Sequence, residues 1–306
     1  MSILWLKTVP RSIFVTTATV TPADLTITPR DRQFGKDEAT ARWWHSGDPF
    51  ATAMYNALSA TFPEGEAFFV RSVRKFAEGT PDRLAADIKA FTTQEAIHSR
   101  EHDAFNKRAH EAGYDMEPLY ARVHERIEIL NDKPEIASLA ATMVLEHYTA
   151  ILAHELLADP RHLEGADEAT RELWKWHAAE EIEHKGVAYD TWLHATRGWS
   201  RWKRWSVKAK VMLFVTSHFF PDRFRGALYL LEQDGITGWK AKWGLFRYGF
   251  VAPGMFRKIL GAWAAFFLPR FHPWNDDDRE LIAAYEESGA HKFERNGRKV
   301  RRAVAA

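Results

Sequence analysis

The chain has 306 residues, of which 46% are hydrophobic and 27% are charged, so it can bury a full core and is not a disordered tail. It contains no cysteine, which excludes disulfides, zinc–thiolate sites, iron–sulfur clusters and a cysteine nucleophile. Any metal ion must therefore be bound by histidine, aspartate and glutamate.

The formal net charge of +1 hides an uneven distribution along the chain. Acidic residues are in excess in residues 1–190, whereas lysine and arginine are in excess in residues 191–306. The second part also holds most of the 13 tryptophans. We therefore expect the first part to contain a site and the second to present a surface.

The predicted elements are helical after an N-terminal arm. Residues 1–46 lack sustained periodicity, and residues 13–27 are predicted to be extended. Asp48 and Pro49 suit the N-cap and first turn of a short helix over residues 50–60. Further helices are predicted from residue 63, over 80–112 (ended by Gly113), over 116–130, over 134–158 and from 167 to about 197.

This pattern predicts an all-α protein, because no segment after the arm alternates with period two. We divide the chain into an arm (1–46), a four-helix bundle (47–198), a basic, tryptophan-rich helical extension (199–290) and a basic disordered tail (291–306). The start of the chain does not resemble a signal peptide, and the apolar runs at 211–220 and 261–269 are shorter than the roughly 20 residues of a membrane-spanning helix. We expect a cytoplasmic protein without such a helix.

Two Glu-x-x-His pairs are the candidate metal-binding motifs, Glu95 with His98 and Glu181 with His184. Residues three or four apart lie about 60° and 40° apart around a helix, so each pair projects from one face. His177 lies four residues before Glu181 and shares its face. His102, four residues after His98, is a further candidate, although it could equally be an exposed helix histidine.

Each pair is preceded by a helix that offers a glutamate. Glu66 precedes Glu95, and Glu146 precedes Glu181. Glu64 competes with Glu66, because an acidic first turn also stabilises a helix. One glutamate from each of two helices and Glu-x-x-His from two others is the plan of the two-metal site in ferritin-like bundles, which we predict here with additional C-terminal helices.

Several of these residues could instead have a structural role. Glu146 stands in an otherwise apolar helix, where an ionised carboxylate is costly without a cation, and either a metal ion or an arginine such as Arg71 or Arg74 could supply it. Glu180, Glu181 and Glu183 could form a solvated acidic face.

The motifs resemble those of a known family. The segments 48–59, 62–66, 94–98 and 177–185 resemble the bacterial family described as predicted metal-dependent hydrolases, over roughly residues 35–220. The histidine four residues before the last Glu-x-x-His is also similar to di-iron arylamine N-oxygenases. The resemblance implies a two-metal centre with these ligands: Glu66, Glu95, His98, Glu146, His177, Glu181 and His184.

The leading functional hypothesis is a di-iron, or iron/manganese, oxygenase or oxidase that activates O₂ to oxidise a small apolar or lipid-like substrate. It competes with a metal-dependent hydrolase, for which zinc or manganese would also serve, and with a non-enzymatic metal-binding bundle. In the extension, the run from Trp199 to Lys210 predicts that the protein associates peripherally with the anionic inner face of the cell membrane. The extension could instead pack on the acidic bundle or form a homodimer; we expect no nucleic acid partner.

Overall fold

The structure is a computed structural model and describes residues 20–34, 40–288 and 293. Numbered in chain order, the helices are α1 (Pro49–Ser59), α2 (Phe62–Arg74), α3 (Asp82–Glu111), α4 (Glu117–Glu128), α5 (Glu135–Ala158), α6 (Glu168–His184), α7 (Val187–Ala195), α8 (Arg201–Gln233), α9 (Gly238–Phe246), α10 (Met255–Lys258), α11 (Leu260–Ala265) and α12 (Arg279–Glu287). The described residues contain isolated β-bridges but no strand. The predicted all-α class is confirmed, and the comparison with ferritin stays a prediction.

Local sequence signals set the first helix boundaries. The Asp48 side chain accepts hydrogen bonds from the backbone N–H groups of Phe50 and Ala51, and Pro49 occupies the first turn, so α1 begins as predicted. Gly113 follows α3 with φ of +95°, a conformation that glycine adopts without strain.

Four helices form a closed ring around the centre of the protein. Helix α2 packs against α3, α3 against α6, α6 against α5, and α5 against α2. Apolar side chains fill the interior, among them Phe91, Leu139, Val144 and Ile182, all of which are fully buried. This ring brings together the helices that carry the two Glu-x-x-His pairs and the two single glutamates.

The predicted continuous helix from 167 to about 197 is wrong at one point, because Lys185 and Gly186 separate α6 from α7. A Cβ atom on Gly186 would lie 2.4 Å from Thr21 Oγ1 and 3.1 Å from the Trp274 indole, so the chain approaches closely here. Lys185 donates from Nζ to Asp278 Oδ2 at 2.6 Å. The break therefore lets α6 contact both the arm and the C-terminal region.

The described part of the arm packs on α6. The backbone N–H groups of Thr28 and Arg30 donate to the carboxylates of Glu183 and Glu180, at 2.9 and 3.0 Å. Residues 13–19 of the segment predicted to be extended, and the predicted disordered tail apart from Phe293, lie outside the described residues. Residues 20–27 are described and form no strand, with a turn in which the Leu25 N–H group donates to the Pro22 carbonyl oxygen.

The basic extension packs on the ring through its longest helix. Helix α8 lies against α1 and α5, and the ring of Tyr148 stacks on Phe219 with centroids 5.2 Å apart. Among the described residues, α5 is the one helix that is long and apolar enough to span a membrane, and 72% of its apolar window is buried inside the protein. Its apolar surface therefore belongs to the core.

Gly244→Ala is expected to lower the melting temperature, because a Cβ atom at this position would lie 2.1 Å from Cε1 of Phe50 and push α9 away from α1. Overpacking of this kind costs about 1–3 kcal/mol. Gly65→Ala is the matched control, since a Cβ atom there meets no atom within 4 Å and removal of a helix glycine stabilises by about 1 kcal/mol. Thermal unfolding followed by circular dichroism checks both, and a shift of the same sign in the two variants would contradict the packing argument.

Candidate metal centre

The ring of α2, α3, α5 and α6 brings all seven residues of the predicted ligand set into one buried cluster. Each is at most 3% exposed. Glu66 comes from α2, Glu95 and His98 from α3, Glu146 from α5, and His177, Glu181 and His184 from α6.

The cluster contains two adjacent groups of donor atoms. Glu66, His98 and His177 form one, and Glu95, Glu181 and His184 form the other. In each group, one donor atom from every residue lies within 4.8 Å of the others. Carboxylate oxygen and imidazole nitrogen suit hard or borderline divalent ions, so the two groups fit a centre of two metal ions.

Glu181 lies between the two groups. Its Oε1 atom is 2.9 Å from His177 Nε2, 3.4 Å from His98 Nδ1 and 3.5 Å from His184 Nε2. The Nε2 atom of His184 is also 3.1 Å from Glu95 Oε1 and 3.4 Å from Glu146 Oε2. One carboxylate therefore approaches all three imidazoles of the predicted ligand set.

Three buried carboxylates of the cluster accept no well-formed hydrogen bond in the described part of the chain. Neither oxygen of Glu66, Glu95 or Glu146 has a partner of suitable geometry, although His184 Nε2 approaches Glu95 and Glu146 at 3.1 and 3.4 Å. Buried polar atoms in native proteins are nearly always paired, so these atoms indicate a missing cation.

The electrostatics of the metal-free cluster agree with this interpretation. Burial raises the pKa of Glu66 and Glu95 well above the usual range and that of Glu146 to about 7. Burial also raises the pKa of the Glu181 carboxyl, but the imidazoles of His184 and His177 outweigh it and hold that pKa well below the usual value. Protons and histidine charges thus partly supply the positive charge that the carboxylates require.

A surrounding set of polar residues orients two of the imidazoles. His98 Nε2 is 2.9 Å from Glu180 Oε2, and His184 Nδ1 is 3.0 Å from the side-chain oxygen of Gln94. Arg30 of the arm contacts the carboxylates of Glu180 and Glu183 at 3.2 and 3.0 Å. Such outer partners fix the ring orientation of metal-binding histidines.

Sequence reasoning missed this outer set. Glu180 and Glu183 fitted a solvated acidic face, but they are 0% and 4% exposed, so that interpretation is wrong. The sequence pattern of these two glutamates around Ile182 does not predict that they are buried. Arg30 lies in a segment without periodicity, and no sequence signal connects it with α6.

His102 lies outside both donor groups. Its Nε2 atom is 2.6 Å from His177 Nδ1, and its Nδ1 atom is 2.8 Å from Ser59 Oγ. It is fully buried, so it is not an exposed helix histidine. Its contacts hold His177 with Nε2 directed at Glu181.

The structure distinguishes Glu66 from Glu64 and identifies the close partner of Glu146. Glu64 lies on the surface, where its Oε1 atom is 2.8 Å from His124 Nδ1, whereas Glu66 is buried in the cluster. The close charged neighbour of Glu146 is His184, and neither Arg71 nor Arg74 contacts it in the described structure. Glu66 and Glu146 therefore occupy the positions that the repeated plan predicts.

A cavity of about 360 Å³ leads to the cluster. It lies between α2, α4, α5 and α8 and is lined by carbon-rich side chains such as Phe69, Val123, Leu145 and Val215. Glu66 lines the cavity and also belongs to a donor group. The volume of this cavity is in the range of small-molecule binding sites.

Glu146→Gln is expected to abolish metal binding yet stabilise the metal-free protein at about pH 8. The folded-state pKa of about 7 exceeds the ordinary 4.5, so the stability that the protonated carboxyl supplies is complete below 4.5 and is lost as the pH rises through 7. The shift corresponds to ~3 kcal/mol at most. For the same reason, metal affinity of the wild type should rise with pH through about 7.

Melting temperatures with a chelator and with added Mn²⁺ or Zn²⁺ check this expectation. Glu135→Gln, at the exposed start of the same helix, is the control and should keep metal-induced stabilisation. The expectation is contradicted if metal-free Glu146→Gln melts at a lower temperature than the wild type at pH 8, and by a larger margin than at pH 5.

Comparisons with known proteins identify the family of the chain. Searches against curated proteins and against solved structures returned no match. Residues 28–277 match the family described as predicted metal-dependent hydrolase, which covers most of the described ring and extension. The chain belongs to this family of predicted metal-dependent hydrolases.

Proposed function

We propose that the protein is a hydrolase that uses two metal ions bound in the buried cluster. The observation that carries this proposal is the pair of adjacent donor groups, in which both oxygens of Glu66 and of Glu95 lack a hydrogen-bond partner in the described part of the chain. The family description supports hydrolysis over the oxidation that we placed first from the sequence. Cytoplasmic localisation stays a prediction.

The proposed ligands follow the two donor groups. Glu66, His98 and His177 would bind one ion, and Glu95, Glu181 and His184 the other, with Glu146 beside His184 as the seventh ligand. The repeated plan on four ring helices supports a ferritin-like arrangement. This donor set suits manganese, iron or zinc.

Bound metal ions would polarise a carbonyl or phosphoryl oxygen and lower the pKa of water at neutral pH. The chain itself supplies position and exclusion of water. Glu66 is the donor that also lines the cavity, so the scissile bond must lie beside it. The apolar walls keep bulk water away from the position of the scissile bond.

Oxidation by O₂ is the second candidate, and the apolar cavity is the observation that favours it. The walls next to Glu66 are carbon-rich, so they would hold a hydrocarbon chain at the centre. The mixed glutamate and histidine ligand set is compatible with iron.

We expect anaerobically purified protein to bind two metal ions per chain and to cleave 4-nitrophenyl esters of apolar acids without O₂. Glu66→Gln should lose metal and reduce cleavage at least ~10²-fold, because it removes a proposed ligand at the cavity. Glu64→Gln is the matched control, two residues away on the same helix but paired with His124 on the surface. Metal content by mass spectrometry and release of nitrophenol are the measurements.

Oxidation and metal storage would give different results in the same samples. Consumption of O₂ by the iron-loaded protein, without ester cleavage, would replace hydrolysis by oxidation. Uptake of many ions per chain would favour a storage protein. No stoichiometric metal in the wild type would overturn both metal-dependent proposals.

A further inference from the structure

Four arginines surround one carboxylate beside the cavity. The Asp222 carboxylate of α8 is 2.7 Å from Arg126 Nε, 3.0 Å from Arg225 Nη1 and 3.9 Å from Arg122 Nη1. Arg223 is the fourth member of this arginine cluster, and the ion pairs that the cluster forms in the described structure all go to Asp222. One negative charge therefore faces four positive charges.

Arg223 carries the part of this charge that is least compensated. Its Nε atom is buried without a hydrogen-bond partner in the described part of the chain, and its guanidinium lies 5.5 Å from the centre of the Phe219 ring. Burial, together with repulsion by Arg122 and Arg126, lowers the pKa of Arg223 to about 10 against the attraction of Asp222. A partly buried cation with so little compensation is suited to bind an anion.

The position of Arg223 connects the arginine cluster with the metal centre. Its side chain lines the cavity that ends at Glu66 and also a smaller pocket of about 120 Å³ that Arg122 and Arg225 line. Along α8, the wall of the cavity runs from Lys210 to Arg223, a rise of about 20 Å. The cavity thus has a cationic end, long apolar walls and a carboxylate of the proposed metal centre.

We propose that this cavity binds an anionic amphiphile, with its hydrocarbon chain along the apolar walls towards Glu66 and its carboxylate or phosphate head on Arg223 and the neighbouring arginines. This assignment deepens the proposed function, since it names the substrate class of the same site. The binding itself does not require the metal ions, which allows a separate test.

The test is isothermal titration calorimetry of the chelator-treated protein with decanoate, decyl phosphate, 1-decanol and inorganic phosphate. Decanoate or decyl phosphate should bind more tightly than 1-decanol, and which of the two binds best identifies the head group. Arg223→Met should weaken binding of the anionic probes about tenfold or more without changing that of 1-decanol. Arg257→Met, at an exposed arginine of α10, is the matched control.

A second variant tests the chain-binding walls. Gly65 lines the cavity and has open space at its Cβ position, so Gly65→Leu should fill the cavity without loss of stability and abolish binding of all three decyl probes. Equal affinity for 1-decanol and the anionic probes would overturn the role of Arg223. The same conclusion would follow if Lys210→Met, but not Arg223→Met, abolished the preference for the anionic probes over 1-decanol. Inorganic phosphate binding as tightly as decyl phosphate would overturn the role of the walls. None of these binding measurements depends on metal content or on hydrolysis.

Helix α9 and the π-helical turn after it (Arg247–Val251) carry a row of aromatic side chains on their surface. Trp239, Trp243, Phe246 and Phe250 form an aromatic ladder, with successive ring centroids 6.0, 5.5 and 5.3 Å apart. The first three rings are 75%, 48% and 45% exposed. Large apolar side chains grouped on a surface in this way indicate an interaction site.

The charged residues of the segment that carries the ladder are all of one sign. Lys240, Lys242 and Arg247 are exposed among its rings, and the sequence has no acidic residue between Asp234 and Asp276. Exposed tryptophans interleaved with cations suit the interface of an anionic bilayer, where the rings enter the head-group region. We infer that the aromatic ladder docks on an anionic membrane surface.

Sedimentation with vesicles of phosphatidylcholine, with and without phosphatidylglycerol, tests the docking. The protein should bind only the anionic vesicles, and the double variant Trp239→Ala/Trp243→Ala should reduce binding about tenfold. Leu260→Ala is the control, because Leu260 is 55% exposed and lies outside both the ladder and the run from Trp199 to Lys210. Trp202→Ala tests that run, which the sequence alone predicts to bind the membrane. No binding to anionic vesicles, or a loss only in Trp202→Ala, would overturn the inference.

Discussion

The convergence of four glutamates in the core is the constraint on which the rest of the structure depends. Glu66, Glu95, Glu146 and Glu181 meet where each side chain is almost fully buried, and in the described structure three of them accept no well-formed hydrogen bond. Ionised carboxylates are tolerated there only when positive charge is close. The imidazoles of His98 and His184, whose pKa values the carboxylates raise against burial, supply part of it, whereas burial lowers the pKa of His177 to about 4. The raised pKa values of Glu66, Glu95 and Glu146 agree with a need for more positive charge. Two divalent ions would provide this positive charge. A metal centre therefore accounts for the buried glutamates, which an apolar core alone would not require.

The sequence predicts the inner part of the centre because helix periodicity is a short-range rule. Glu95 with His98 and Glu181 with His184 must share helix faces wherever the helices pack, so their convergence needs only that four helices form a ring. The outer part depends on packing across long separations in sequence. Arg30 meets Glu180 because an irregular segment crosses α6, and no periodicity encodes that contact. The break after Lys185 was missed for the same reason, since it serves contacts with Thr21 and Asp278.

The basic extension is part of the site as well as a surface. Helix α8 supplies one wall of the cavity through Val215 and Phe219 and carries Arg223 at its cationic end. A division of the chain into a bundle and an extension describes its charge distribution, but the cavity requires both parts. Two acidic residues, Asp222 in α8 and Asp234 at its C-cap, pair with arginines of the preceding part, Arg126 and Arg42. The ion pairs between the parts run in both directions, because Lys258 of the extension pairs with Asp159 and Glu155. The attraction is therefore local and does not follow the net charges alone.

Arg30 connects the stability of the fold with the geometry of the centre. Its guanidinium contacts Glu180 and Glu183 on α6 and Glu286 on α12, so one cation holds together the arm, the ring and the last described helix. The attraction of these carboxylates outweighs burial and raises the pKa of Arg30 above its ordinary value, so it stays charged at every pH at which the protein folds. The Glu180 carboxylate that Arg30 contacts also lies 2.9 Å from His98 Nε2. The opposite nitrogen of His98, Nδ1, faces Glu181 at 3.4 Å. A continuous series of contacts therefore runs from the arm through Glu180 and His98 to the donor groups, and the same contacts orient the His98 ring.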